Sequence, residues 1–266
     1  MNMSQAAFVR LQKLFHGASG INLAPGKKTL MTARLRKRVE ALGLGDFDAY
    51  SAYVSEAAHA EERQRAVDLL TTNETYFFRE PSHFTFLAKE IDKRAGQPLR
   101  IWSAACSTGE EAYSLAMTML DRRSSGDFQL FASDLSTRVL ERAARGVYPM
   151  SRLEHMPQDY LKRFCQRGRN DYEGMFRVAP ALRKKVEFFR HNLMESARPL
   201  GEFDIIFIRN VLIYFDAATK AQVVRKLADQ LRPSGLLFVG QAEGLHGMSG
   251  EMTRVERSVY QRGVRA

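Results

Sequence analysis

Leu99-Arg-Ile-Trp-Ser-Ala104, followed at once by Ala105-Cys-Ser-Thr-Gly-Glu-Glu111, is the stretch that decides the fold. Six mostly apolar residues stop in small and polar ones, and the run 112–120 then takes up helical spacing. A buried strand feeding a tight turn and an amphipathic helix is the opening unit of a parallel α/β sheet. The same texture continues downstream. Residues 128–133, 186–190, 203–208 and 235–240 are predicted strands; 110–120, 137–144 and 217–230 are predicted helices. The end, 253–262, alternates like an edge strand. Together these predict a doubly wound α/β sheet. One excursion breaks the rhythm: 164–166 and 175–178 read as short strands around a turn rich in Gly168, Asn170, Asp171 and Gly174.

Upstream of the sheet the pattern is helical from residue 6 to about 70. Apolar residues recur at three- and four-residue spacing (Phe8, Leu11, Leu14, Phe15, then Leu35, Val39, Leu42), punctuated by Gly20, Pro25, Gly43 and Gly45. Asp46 and Asp48 open a further helix with acidic residues suited to its dipole. The expected organisation is an all-helical domain over 1–72, a linker over 73–98 that contributes to the ligand site, and a sheet domain over 99–266 with a small inserted antiparallel β-subdomain at about 161–190.

The 266 residues suffice for one large domain and one small. A hydrophobic fraction of 45% with 26% charged residues predicts a folded globular chain rather than a disordered one. The richest apolar stretch, 203–215, is interrupted by Asp204, Arg209 and Asn210, so no membrane helix is expected, and residues 1–10 lack the pattern of a secretion signal. Cys106 and Cys165 have neither disulfide nor zinc-ligand spacing, which fits a reducing, cytoplasmic setting. The six histidines, His16, His59, His83, His155, His191 and His246, show no metal-ligand spacing, so no metal is assigned. A net charge of +10 calls for an acidic partner, and Lys27, Lys28, Arg34, Arg36, Lys37 and Arg38 concentrate it in one segment. A merely solvated helix face is the competing account of that cluster.

In open α/β sheets ligands sit beyond the carboxyl ends of the strands. After the first strand, Gly109 alone is a weak signal. Glu110 and Glu111 at a helix N-terminus, however, would repel a pyrophosphate. A nucleoside cofactor carrying positive charge suits them, and S-adenosylmethionine, with a sulfonium and an ammonium, is such a molecule. Asp134, past the second strand, is placed for both ribose hydroxyls, although an acidic residue there also serves as a helix cap. Asn192-Leu193 and Arg209-Asn210 after later strands offer an apolar wall and amides for an adenine edge. In Thr71-Thr-Asn-Glu-Thr-Tyr-Phe-Phe-Arg79-Glu80, Arg79 is suited to a carboxylate of the cofactor.

Thr72-Asn73-Glu-Thr75-Tyr-Phe-Phe-Arg79, Ser107-Thr-Gly-Glu-Glu111, Ala132-Ser-Asp134 and Ile208-Arg-Asn210-Val-Leu-Ile-Tyr214-Phe occur in this order. They resemble the CheR family of chemoreceptor glutamate methyltransferases, over about residues 5–262. The resemblance implies an N-terminal helical domain followed by a Rossmann-like class I methyltransferase domain with a β-subdomain. Its activity is transfer of a methyl group from S-adenosylmethionine to glutamate side chains in the cytoplasmic helical bundle of methyl-accepting chemotaxis proteins, for adaptation. Carried over by motif, the cofactor contacts are Asn73, Thr75, Arg79, Glu110, Asp134, Asn192, Leu193, Arg209 and Asn210, with Glu110 preferred to Glu111. Arg79 and Tyr214 lie nearest the transferring methyl. Lys28, Arg34, Lys37 and Arg38 match the family's basic receptor-contacting helix, although Glu40 stands where another basic residue is expected. In some members the β-subdomain also grips a peptide at the receptor's C-terminus, and residues 168–174 do not decide that point. Nothing in the chain demands more than a monomer.

A carboxylate of pKa about 4.3 is ionised at neutral pH, so the implied reaction needs no general base. Cys106 is expected to pack rather than attack, since no histidine is fixed near it. A nucleic-acid methyltransferase is the enzymatic rival suggested by charge. The Asp/Asn-Pro-Pro-aromatic element of amino-directed enzymes is replaced here by Arg209-Asn-Val-Leu, which argues against nucleic acid. A non-catalytic cofactor sensor would be marked by loss of Arg79, Asp134 or Tyr214, and all three are present.

Overall fold

The computed structural model describes residues 1–263 other than 124, 246, 249 and 251, so His246 and the last residues of the expected 99–266 span lie outside it. Two compact units emerge: residues 1–72 with 214–220, and residues 73–213 with 221–266.

The first unit holds α1 (Gln5–Ser19), α2 (Lys28–Ala41), α3 (Phe47–Ser55) and α4 (Ala60–Leu70). Sequence signals set their ends. Ser4 caps α1 by accepting from the N–H of Ala7 at 3.0 Å, and Asp46 caps α3 by accepting from that of Ala49 at 2.8 Å. Gly20, at φ 73°, closes α1 in the left-handed conformation that glycine adopts without strain. The predicted apolar stripes meet inside, with Phe8, Leu11, Phe15, Leu35, Val39, Phe47 and Tyr50 buried.

The second unit begins before the first strand. Residues 73–98, expected as a linker, contain α5 (Pro81–Lys93), whose Phe84, Leu87 and Ile91 join the core of this unit. There follow β1 (Leu99–Ala104), α6 (Glu110–Arg122), β2 (Phe128–Asp134), α7 (Thr137–Arg145), β3 (Val147–Pro149), α8 (Gln158–Phe164), β4 (Cys165–Arg167), β5 (Met175–Val178), α9 (Pro180–Arg183), β6 (Val186–Arg190) and β7 (Phe203–Ile208). Then come α10 (Ala217–Asp229), whose first residues group with the helical unit, β8 (Leu231–Val239), β9 (Met252–Glu256) and β10 (Val259–Arg262).

Seven strands form one sheet in the order β6-β2-β1-β7-β8-β10-β9. The first five run parallel; β10 is antiparallel to β8 and to β9. From β1 the chain moves outward through β2 to β6, then returns to β7 on the other side, so the strand order reverses between β1 and β7. That reversal opens the crevice where such sheets bind ligands. The expected single edge strand at 253–262 is instead a hairpin: a turn at 257–258 folds β9 back, leaving β10 inside the sheet and β9 at its edge. The small antiparallel sheet, β3-β5-β4, starts at Val147, upstream of the expected 161, and the strand at 186–190 belongs to the large sheet.

Candidate active site

The turn after β1 is built on left-handed backbone. Ser107 sits at φ 49° and Gly109 at φ 95°. A β-carbon on Gly109 would lie 2.7 Å from that of Ala143, so only glycine lets α7 pack here. The turn is then tied to the next strand: the N–H of Ser107 donates to Asp134 Oδ2 at 2.9 Å, and that of Ser136 donates to Oδ1 at 2.9 Å. Asp134 therefore joins the β1 turn to the Ser136 backbone just before α7, while Ser136, not Asp134, occupies the N-cap position. Cys106 is buried between them, and burial, followed by the negative charge of Asp134 and Glu111, pushes its thiol well above the usual range. That disfavours a thiolate nucleophile.

The two glutamates heading α6 face different tasks. Glu111 accepts from the Ser103 hydroxyl at 2.7 Å and pairs with Arg209 Nε at 2.7 Å, a buried ion pair. Glu110, 1% exposed, accepts from the Thr108 hydroxyl at 2.6 Å and has no ion pair among the described residues. Burial raises its carboxyl above the ordinary value, with the Thr108 bond opposing.

Arg209, expected as a cofactor contact, is occupied internally. Its side chain is 2% exposed. Besides Glu111 it donates to the carbonyl of Arg79 at 2.7 Å, faces His83 Nδ1 at 3.1 Å and Glu80 at 3.4 Å, and lies against the rings of Phe84 and Phe207. It is a clamp that locks the 79–80 backbone onto α6. Asn210, at φ 59°, donates its N–H to Glu243 Oε2 at 2.6 Å and its amide to Glu80 at 3.2 Å. Glu243, fully buried, also accepts from the N–H groups of Gly240 at 2.8 Å and Ile213 at 3.1 Å. Desolvation raises its carboxyl, while these backbone donors pull the other way.

The segment before α5 closes over the same edge. Ser107 donates its hydroxyl to the carbonyl of Asn73 at 2.9 Å, Phe78 donates its N–H to Ser114 at 3.0 Å, and Arg152 donates to the carbonyl of Thr75 at 2.6 Å. Phe78 and Glu80 are held at φ 55° and 58°. Arg79 is half-buried; it donates to the carbonyl of Glu74 at 3.1 Å and lies over the Tyr76 ring. Asn192, buried after β6, accepts from the N–H of Met194 at 3.0 Å, beside the half-buried Leu193. Bonds thus connect Asn73 with Asp134 through Ser107, and Arg79 with Glu111 through Arg209. Tyr214 falls in the helical unit, where its carbonyl accepts from the N–H of Asn22 at 2.9 Å.

Sequence reasoning missed Glu80, His83, Ser103, Arg152 and Glu243. Glu80 ends the motif that carries Arg79 and could have been suspected; the others come from separate segments with no shared spacing. In the helical unit the four basic residues separate. Arg38 forms a two-point ion pair with buried Glu62, at 2.9 and 2.6 Å, and Arg34 caps α4 through the carbonyls of Leu70 and Thr71. Lys37 is exposed and Lys28 half-buried.

A family model described as "CheR methyltransferase, SAM binding domain" matches residues 73–261, and one described as "CheR methyltransferase, all-alpha domain" matches residues 6–71. A chemotaxis protein methyltransferase of Salmonella typhimurium is 41% identical over 261 residues, spanning 97% of this chain and 90% of that protein. Chemotaxis protein methyltransferase 2 of Pseudomonas aeruginosa is 42% identical over 259 residues, spanning 95% of this chain and 91% of its own.

Proposed function

Because the chain belongs to the CheR methyltransferase family, we propose that it methylates the side-chain carboxylates of specific glutamates in the cytoplasmic helical bundle of methyl-accepting chemotaxis proteins. The products are glutamate methyl esters and S-adenosylhomocysteine. The observation that supports this most is Glu110, a buried carboxylate without an ion pair among the described residues, which heads α6 three residues after Ser107, whose N–H donates to Asp134. Burying such a group is unfavourable unless a complementary ligand meets it. A nucleoside with hydroxyls and fixed positive charge is complementary; a pyrophosphate is not.

When bound, S-adenosylmethionine supplies a methyl group on a sulfonium sulfur. Asn73, Thr75, Arg79, Glu110, Asp134, Asn192, Leu193 and Asn210 line its proposed place, with Asp134 toward the ribose. Arg209 serves from behind, by fixing the backbone of Arg79. The substrate carboxylate, already ionised, would accept that methyl group, the electron pair of the broken S–CH₃ bond remaining on sulfur. No proton moves, so the residues contribute proximity, alignment and exclusion of water rather than base catalysis. Arg79 and Tyr214 orient the reacting groups by hydrogen bonding. Lys28, Arg34, Lys37 and Arg38 belong to the surface proposed for the acidic receptor helices, with Arg34 and Arg38 also holding the helical unit together.

The test is transfer of labelled methyl from S-adenosylmethionine to purified receptor cytoplasmic fragments, with Glu-to-Gln receptor variants and duplex DNA alongside. Base-labile label that disappears with the glutamates is the expected result. Cofactor binding without transfer would favour a sensor, and Tyr214→Phe with full turnover would remove Tyr214 from the chemistry.

A further inference from the structure

Glu243 carries a buried charge that the sheet itself does not require. Its side chain is buried, and among the described residues no cation pairs with it. Arg209, one residue before Asn210, is taken by Glu80 and Glu111. The partners of Glu243 are backbone donors at the carboxyl ends of two neighbouring parallel strands. Oε2 accepts from the N–H of Asn210, just past β7, at 2.6 Å, and from that of Gly240, just past β8, at 2.8 Å. Oε1 accepts from the N–H of Ile213 at 3.1 Å, where Leu212–Tyr214 form a single 3₁₀ turn.

N–H groups beyond the end of a strand have no ladder partner, and any buried acceptor could satisfy them. A neutral amide or hydroxyl would do so at less cost than a carboxylate, because burying a charge without a counter-ion is the more unfavourable. What the carboxylate adds is a pair of acceptor oxygens on one rigid group, so that Asn210 and Ile213 are held at a fixed separation. An amide offers a single oxygen, and its NH₂ would face a donor on the other side. Asn210 needs such a hold, since it sits at φ 59°, a region that residues with side chains seldom populate. Its own amide is held in turn by Glu80 at 3.2 Å. The fit around Oε2 is close: a β-carbon on Gly240 would lie 2.6 Å from Glu243 Oε2 and 2.8 Å from Asn210 Nδ2.

Resting on the methyltransferase reading above, we propose that Glu243 is a positioning residue for methyl transfer: Oε2 sets Asn210 for the cofactor, and Oε1 sets the turn from which the chain enters Tyr214.

Two variants of the full chain address the two oxygens separately. Glu243→Gln keeps an oxygen for Asn210 and Gly240 but turns an NH₂ toward Ile213. Its kcat on a purified receptor cytoplasmic fragment should fall about tenfold or more, as misalignment of reacting groups predicts. Its affinity for S-adenosylmethionine, by calorimetry, should hold, and its melting temperature should not drop. Amide exchange followed by NMR should quicken at Ile213 and not at Asn210. Gly240→Ala crowds Oε2 and Asn210 instead, so it should weaken S-adenosylmethionine binding several-fold while Ile213 exchange and kcat at saturating cofactor hold. Equal losses of kcat and affinity in Glu243→Gln, together with a lowered melting temperature, would make Glu243 a structural residue only and overturn the proposal; so would an unchanged kcat or unchanged exchange at Ile213. A wild-type chain that binds S-adenosylmethionine but methylates no receptor fragment would instead overturn the functional reading, and the exchange and affinity patterns would still decide whether Glu243 sets the two segments.

Discussion

Glu110 is the residue at which stability and function are expected to pull apart. Its carboxyl is buried and raised, so its contribution to folding is most favourable below the unfolded carboxylate value and is lost as pH rises through the folded one. Glu110→Gln removes that loss and keeps a partner for the Thr108 hydroxyl. At neutral pH the variant should be more stable by about 1 kcal/mol and bind S-adenosylmethionine roughly tenfold more weakly, checked by urea unfolding and calorimetry. His83 behaves in the opposite sense. Burial, then the charge of Arg209, lowers it to about 4 from an ordinary 6.5, so it is neutral in the fold. Its contribution is complete above 6.5 and is lost as pH falls toward 4, on the order of 3 kcal/mol. Unfolding measured between those limits should show a shallower pH dependence in His83→Gln. Neither effect is legible from sequence, because both depend on partners brought from other segments. Asp134 was legible, since its place after a strand suffices to put it at the carboxyl edge.

At the scale of elements, the β1 turn joins conformation to packing. Gly109→Ala puts a side chain at φ 95° and against Ala143, so two penalties coincide. The expected loss is about 2 to 3 kcal/mol by urea unfolding, with weakened cofactor binding because α6 cannot seat without moving Glu110. Should the variant keep native stability and affinity, the turn is not the rigid piece described. The strands and helices of the parallel part were readable because apolar runs of β1, β2, β6 and β7 are short and bounded by turn residues. The hairpin of β9 and β10 was not, since the Arg257-Ser258 turn carries no Asn-Gly or Asp-Gly signal and the alternation runs straight through it. Nor was the start of the small sheet at Val147, three residues too short for a period to register.

For the molecule as a whole, the net charge of +10 raises the question of which cations meet a partner and which hold the fold. The basic segment of α2 contains both kinds. Arg38→Ala leaves Glu62 buried without its two-point partner, with Tyr50 as its remaining hydrogen-bond donor at 3.1 Å and Arg65 Nη1 3.7 Å away. A loss of about 3 to 5 kcal/mol follows, so any fall in receptor methylation by that variant would say little about docking. Lys37 is exposed, and among the described residues no ion pair engages it. Lys37→Glu should leave stability within about 0.5 kcal/mol, and its effect on function is therefore readable. If the segment meets the acidic receptor helices, KM for the receptor fragment rises several-fold in the variant while kcat and the KM for S-adenosylmethionine hold. Added salt should raise the wild-type receptor KM in the same direction and narrow the gap between the two proteins, because an exposed contact is screened. An unchanged receptor KM at low salt would instead assign Lys37 to a solvated helix face and move the docking surface elsewhere on the molecule.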